Sequence, residues 1–277
     1  MVRVGRTGGL LGRAVLGAGA AGAVAVAGWW RGALTADGTA AAVAVGTPVF
    51  AVGGGRWAAV LVGFFTLSSA LSQVGRERKA AMAAVASKGS RRDAGQVLAN
   101  GGVAAGAAVV AGITGKPEAA FPAFLGAMAA ATSDTWATEI GLLSRRPPRS
   151  IVTWRQVRPG LSGGVTPLGL AAAAAGGATI GLIGSLGRPR RELVALGTLA
   201  GLAGSLADSV AGATVQGVYR CPRCGEETER RVHSCGTPTI PARGVAWIDN
   251  DVVNLIGAAV GAITALVLAR RRPGRRG

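Results

Sequence analysis

Apolar residues run along this chain in blocks too long for the half-buried helices of a soluble core. A bilayer span needs roughly 20 mostly apolar residues. Stretches of about that length fall at 14–30, 33–53, 57–74, 97–114, 119–142, 163–186, 193–216 and 252–269. Three of the polar separators are long and basic. Segment 75–93 carries Arg76, Arg78, Lys79, Lys88, Arg91 and Arg92; 143–162 carries Arg145, Arg146, Arg149, Arg155 and Arg158; 217–246 carries Arg220, Arg223, Arg230, Arg231 and Arg243. The separators at 53–56 and 114–118 are short and nearly neutral. Alternating the spans puts the basic loops on one side and the neutral turns on the other, and the positive-inside rule makes the basic side cytoplasmic. Arg3, Arg6, Arg188, Arg190, Arg191 and Arg270–Arg272 run against that bias, so the relative sidedness rests on counting crossings rather than on charge. The first stretch follows Arg3, Arg6 and Arg13 as a signal peptide would, but no small-residue cleavage site leads into a polar mature start, and it is read as a span.

The pattern therefore predicts an all-α polytopic membrane helix bundle with about 7–8 spans, a single integral-membrane domain over 1–277 into which the loop 217–246 is inserted. Composition agrees: 49% of residues are hydrophobic and only 16% charged, where soluble chains carry about a quarter charged. The 46 glycines let membrane helices approach closely. A formal charge of +17 on a soluble protein would suggest nucleic acid. Here no zinc finger, aromatic RNA-binding pattern or helix-turn-helix is present, and Arg and Lys flanking spans meet anionic headgroups instead. Membrane lipids, not nucleic acid, are the expected partners.

The chain has only 13 acidic residues, and several interrupt apolar sequence. An ionisable group inside a span is costly unless it faces a cavity or a partner. Asp134 and Glu139 end the fifth stretch, Asp208 ends the seventh, Asp249 and Asp251 open the eighth, Asn100 opens the fourth and Asp37 the second, all on the basic side. Asp134 and Asp208 sit in similar D-[ST]-x-A elements, S-D-T-W-A and A-D-S-V-A. Two such segments face to face would hold two carboxylates around a cation, and Mg²⁺ favours a few carboxylates plus water and phosphate oxygens. Either the acids do this, or each pairs with a loop arginine and fixes helix packing. Ser162, Gly163 and Gly164 open the sixth stretch, where a glycine turn at a helix start suits either phosphate or close packing. Arg91, Arg92, Asp93, Gln96 and Asn100 form a polar strip entering the fourth stretch, able to clamp and orient phosphate or to anchor headgroups.

All three cysteines lie between 221 and 235, and an odd clustered set is no disulfide framework. Cys221, Cys224, His233 and Cys235 have the spacing of a tetrahedral Zn²⁺ knuckle, structural rather than catalytic because all four ligands are protein. The other reading is a loop of reduced thiols.

The segments GALTADG, FFTLSSALSQVGRERK, RRDAGQVLANGG, SDTWATEIG, LSGGVTPLG, GSLADSVAGATVQG, CPRCGEETERRVHSCGTPT and WIDNDVVNL occur in this order over about residues 30–268. Together they resemble the integral-membrane family of the transmembrane protein nineteen group and the chloroplast phytyl-phosphate kinase, first defined as a domain of unknown function. The resemblance implies a lipid-phosphate kinase in which a nucleoside triphosphate gives its γ-phosphoryl to an isoprenyl monophosphate. The D-[ST]-x-A element is also similar to one in membrane polyprenol and phytol kinases that use CTP. Carried onto this sequence, Asp134, Asp208 and Asp251 are assigned to Mg²⁺–nucleotide, Glu139, Asn100 and Asp249 to support, and Arg91, Gln96, Ser162, Gly163 and Gly164 to phosphate. The acceptor phosphate is anionic near neutral pH and needs no strong base. A transporter with intramembrane carboxylates, or a non-catalytic assembly protein, are the competing classes; acids gathered at one face rather than the midplane favour an interfacial enzyme. The expected setting is a bacterial-type plasma membrane with the active face cytoplasmic.

Overall fold

A computed structural model describes residues 5–75, 79, 91–186 and 191–271, with side chains from Gly12 onward. Arg3, Arg76, Arg78, Lys88, Arg188, Arg190 and Arg272 lie outside the described residues. The helices are α1 (Gly5–Trp30), α2 (Ala36–Gln73), α3 (Ala94–Thr114), α4 (Pro117–Gly141), α5 (Pro167–Ile183), α6 (Arg191–Thr214) and α7 (Asn250–Arg270). Short strands occupy the loops: β1 (Arg149–Ser150) pairs antiparallel with β2 (Gly164–Val165), and β3 (Val218–Arg220) lies between β4 (Glu227–Thr228) and β5 (Ile240–Arg243).

Five of these helices are long and apolar enough to cross a membrane. Their apolar surface is mostly not used inside the protein: Ile113 is 81% exposed, Leu182 60% and Ile263 60%. Such a surface is stable only against lipid.

The 38-residue α2 is two spans. Gly54 breaks it with φ 63° and ψ −164°, a conformation that essentially only glycine adopts. Arg92 shows that the chain reverses there. Its backbone pairs with Ala33 and Thr35 (3.0 and 3.1 Å), and its guanidinium donates to Ser69 Oγ at 3.0 Å. A straight helix would separate residues 35 and 69 by about 50 Å. The two spans expected at 33–53 and 57–74 are thus both present, joined at Gly53–Gly54–Gly55, with the helix starting at Ala36 after a turn over 31–35 and ending at Gln73. The stretch expected at 163–186 gives a helix only from Pro167 to Ile183, because residues 162–166 form a turn and β2 before Thr166 caps α5 by accepting from Gly169 N–H at 3.0 Å.

α4 is the centre of the bundle. Residues Phe124–Ser133 are buried without interruption, so the helix meets protein on every side. Neighbouring backbones come very close to it and to each other: a Cβ at Gly126 would meet Gly261 O of α7, and one at Gly257 would lie 3.0 Å from Gly204 O of α6. Far from the strands, Trp57 stacks on Phe124 (4.3 Å between centroids), and Arg56 lies 3.6 Å over Phe121 while donating to Gly184 O at 2.6 Å. That end holds the turns at 53–56, 115–116 and 184–186. The opposite end holds 31–35, 74–75, 79, 91–93, 142–166 and 215–249 with the strands of the described residues, as counting crossings predicts.

Candidate functional site

At the strand-bearing end, α4, α5 and α6 diverge around a cavity of about 510 Å³. Asp134 of α4 and Asp208 of α6 reach it from separate helices, and their carboxyl groups lie close enough to interact. Asp208 Oδ2 is buried with no hydrogen-bond partner among the described residues. Two carboxyl groups facing one cavity can share a cation between them. Ser205, Ser209 and Asn250 add uncharged polar groups, and the exposed Arg145 and Arg146 stand at the mouth.

The Ser162–Gly164 turn forms one wall, held by β1–β2 pairing of Ser150 with Gly164. Gly163 has φ 83°, and a side chain there would run into Ala213 of α6. The turn's donors are already engaged: Ser162 N–H gives to Glu229 Oε1 at 3.0 Å and Gly164 N–H to Leu161 O at 3.2 Å. The turn therefore shapes the cavity rather than offering these two N–H groups to a ligand. Glu229, which follows β4, is the acid the sequence did not single out. Burial raises its carboxyl above the ordinary range, against hydrogen bonds from Ser162 and Gln216. It lines both this cavity and an adjoining one of about 450 Å³ bounded by Tyr219, Arg230, Arg231, Trp247 and Asp249.

Other expected site residues go elsewhere. Glu139 is turned away from Asp134 and binds Lys79 Nζ at 2.6 Å and Ser72 Oγ at 2.6 Å. Asp249 caps α7, accepting from the Asp251 and Val252 N–H groups at 3.0 and 3.1 Å, and Asp251 follows in the first helical turn. Neither Asp249 nor Asp251 lines the 510 Å³ cavity. Arg91 donates to Leu34 O at 3.0 Å, Gln96 closes a capping box with Asp93, and Asn100 donates to Gln96 O at 2.8 Å. Gln96 and Asn100 border a separate apolar slot of about 70 Å³ beside α1 and α2. They lie there because α3 turns this strip toward the α1–α2 junction, where Asp37 also accepts from Ala94 N–H at 3.1 Å.

In the loop before α7, the ligand atoms of Cys221, Cys224, His233 and Cys235 lie within 4.8 Å of one another. The Cys235 thiol is drawn down to about 5 by its hydrogen bonds with Thr237 and His233, and its neighbour Cys224 is pushed up to about 11 chiefly by Cys235.

The family described as Integral membrane protein DUF92 matches residues 19–262. Protein PGR of Arabidopsis thaliana is 34% identical over 229 residues, covering 73% of this chain and 78% of that protein. An uncharacterized membrane protein of Methanocaldococcus jannaschii is 33% identical over 215 residues, covering 78% of this chain and 77% of its own length. No solved structure matches significantly.

Proposed function

The chain belongs to the Integral membrane protein DUF92 family, and on that premise we propose that it is a membrane-embedded prenyl-phosphate kinase of the phytyl-phosphate type. One observation carries the reading: Asp134 and Asp208, from different helices, meet in a cavity with arginines at its mouth. An anionic oxygen of the acceptor monophosphate attacks the γ-phosphorus of a nucleoside triphosphate, CTP in the first instance. The bond from that phosphorus to the β-phosphate bridging oxygen breaks, and the nucleoside diphosphate leaves with the electron pair. Such a transfer needs positioning and charge compensation more than covalent help.

The residues fit Mg²⁺. The paired carboxyl groups and the orphaned Asp208 Oδ2 are hard oxygen donors in a cavity large enough for metal-bound water and phosphate. Asp134 and Asp208 would hold the ion, which when bound neutralises charge on the transferred group. Arg145 and Arg146 draw phosphates to the mouth. Leu142 and Leu170 line the cavity, and Leu168 and Leu170 are exposed on α5, a path for an isoprenoid tail. With the basic loops inside, this face is cytoplasmic.

The test is turnover of phytyl, farnesyl and geranylgeranyl monophosphates with CTP, ATP, GTP and UTP by folded, purified protein. Diphosphate should form with at least one pair. Asp134→Asn and Asp208→Asn should each lower turnover per folded molecule by on the order of 100-fold or more. No diphosphate from any pair overturns the reading and moves an ion or small-molecule carrier ahead of it.

A further inference from the structure

The loop between α6 and α7 carries a constellation that the reaction does not use. Two tight turns face each other. Gly225 N–H donates to Cys221 O at 2.8 Å, and Gly236 N–H donates to His233 O at 2.9 Å. Between them, Cys235 Sγ lies 3.7 Å from Cys221 Sγ, 3.5 Å from Cys224 Sγ and 3.1 Å from His233 Nδ1. We propose that Cys221, Cys224, His233 and Cys235 bind one structural Zn²⁺, and that this metal fixes the loop as a wall of the acidic cavity.

The distances favour a metal over the alternatives. Tetrahedral zinc with Zn–S bonds of about 2.3 Å holds its sulfurs about 3.8 Å apart. A disulfide needs about 2.05 Å, and all three cysteines are free. Three thiolates and an imidazole select a soft or borderline cation rather than Mg²⁺ or Ca²⁺. With four protein ligands no coordination position stays open, so the site is structural. His233 supports this with its other nitrogen, since Nε2 lies 3.3 Å from Glu226 Oε2. A carboxylate on the outer nitrogen fixes the tautomer that leaves Nδ1 free to ligate. The loop also needs such a staple. Of the hydrophobic residues in 217–246, Val218, Tyr219 and Cys221 are buried, and Val218 packs with Leu161 and Val157 of the preceding loop, a small core that a metal would reinforce.

The knuckle is linked to the cavity by Glu226 and Glu229. Glu226 O accepts from Cys221 N–H at 2.9 Å, and its carboxylate also pairs with Arg158 at 3.2 Å. Beyond β4, Glu229 holds Ser162 N–H. Fixing the knuckle therefore fixes both the strand that brings Glu229 into the cavity and the turn opposite it.

Full-length protein, washed with a weak chelator, should retain about one zinc per chain by elemental analysis. Protein grown with Co²⁺ should show the visible bands of a tetrahedral thiolate site. Both signals should vanish in the Cys224→Ser/Cys235→Ser double variant. Stripping zinc with a strong chelator should speed amide exchange at 160–164 as well as at 217–246. Zinc below about a tenth of an equivalent in folded parent protein, or zinc undiminished in the double variant, overturns the site. Faster exchange at 217–246 alone overturns the wall. None of these readouts depends on the kinase reading.

Discussion

Asp134 and Glu139 lie on the same helix, and five positions of helix send them to different partners. At about 100° per residue they point roughly 140° apart, so one acid reaches the cavity and the other Lys79. Lys79 and Glu139 side chains are 8% and 20% exposed, and breaking such a pair strands a charge. Glu139→Gln should cost about 3 kcal/mol of stability, seen as a lower unfolding midpoint in detergent, while folded protein keeps its turnover. A turnover loss as deep as that of Asp134→Asn would put Glu139 at the site after all. Intramembrane depth made Asp134 and Asp208 legible in the sequence, because an acid there needs a reason. Glu229 was not legible. It is one of several acids in a polar loop, and only the contact with Ser162 N–H, formed across two loops, separates it from Glu226 and Glu227. The Arg91–Asn100 strip was legible as polar, but its direction was not, since nothing local says which neighbour a helix turns its polar face to.

Among the elements, the spans are legible in the sequence and their ends less so. Long apolar blocks are a strong signal, and the short, nearly neutral separator at 53–56 stands where α2 reverses. α5 starts later than the apolar pattern suggests because Gly163 and Gly164 continue the apolar composition while their backbone forms a turn and β2. Short strands inside basic loops carry no readable alternation over two residues. The reversal itself gives a sharp expectation. Gly54→Ala should destabilise the protein by about 1–3 kcal/mol, because the backbone there is open only to glycine. Gly55→Ala is the control: a Cβ there meets nothing within 4 Å. Thermal unfolding of the two variants in one detergent should separate them, and equal midpoints would show that residue 54 bears no strain.

For the whole molecule, the cavity, the five strands and the knuckle all sit at one end, and the Arg56–Glu118 pair (3.4 Å) sits at the other. A protease site inserted after Thr153 should be cut only from the cytoplasmic side, and one inserted after Gly115 only from outside. Cleavage of both from one side of intact cells would break this topology. The bend at Gly54 also acts as a parity element. It contributes one crossing, and every later segment inherits its sign. If α2 ran straight, residues 91–271 would be turned over across the bilayer with their contacts to each other intact, and the cavity of Asp134 and Asp208 would open on the opposite side. A single glycine, far from both acids, thus decides to which side of the bilayer the cavity is presented.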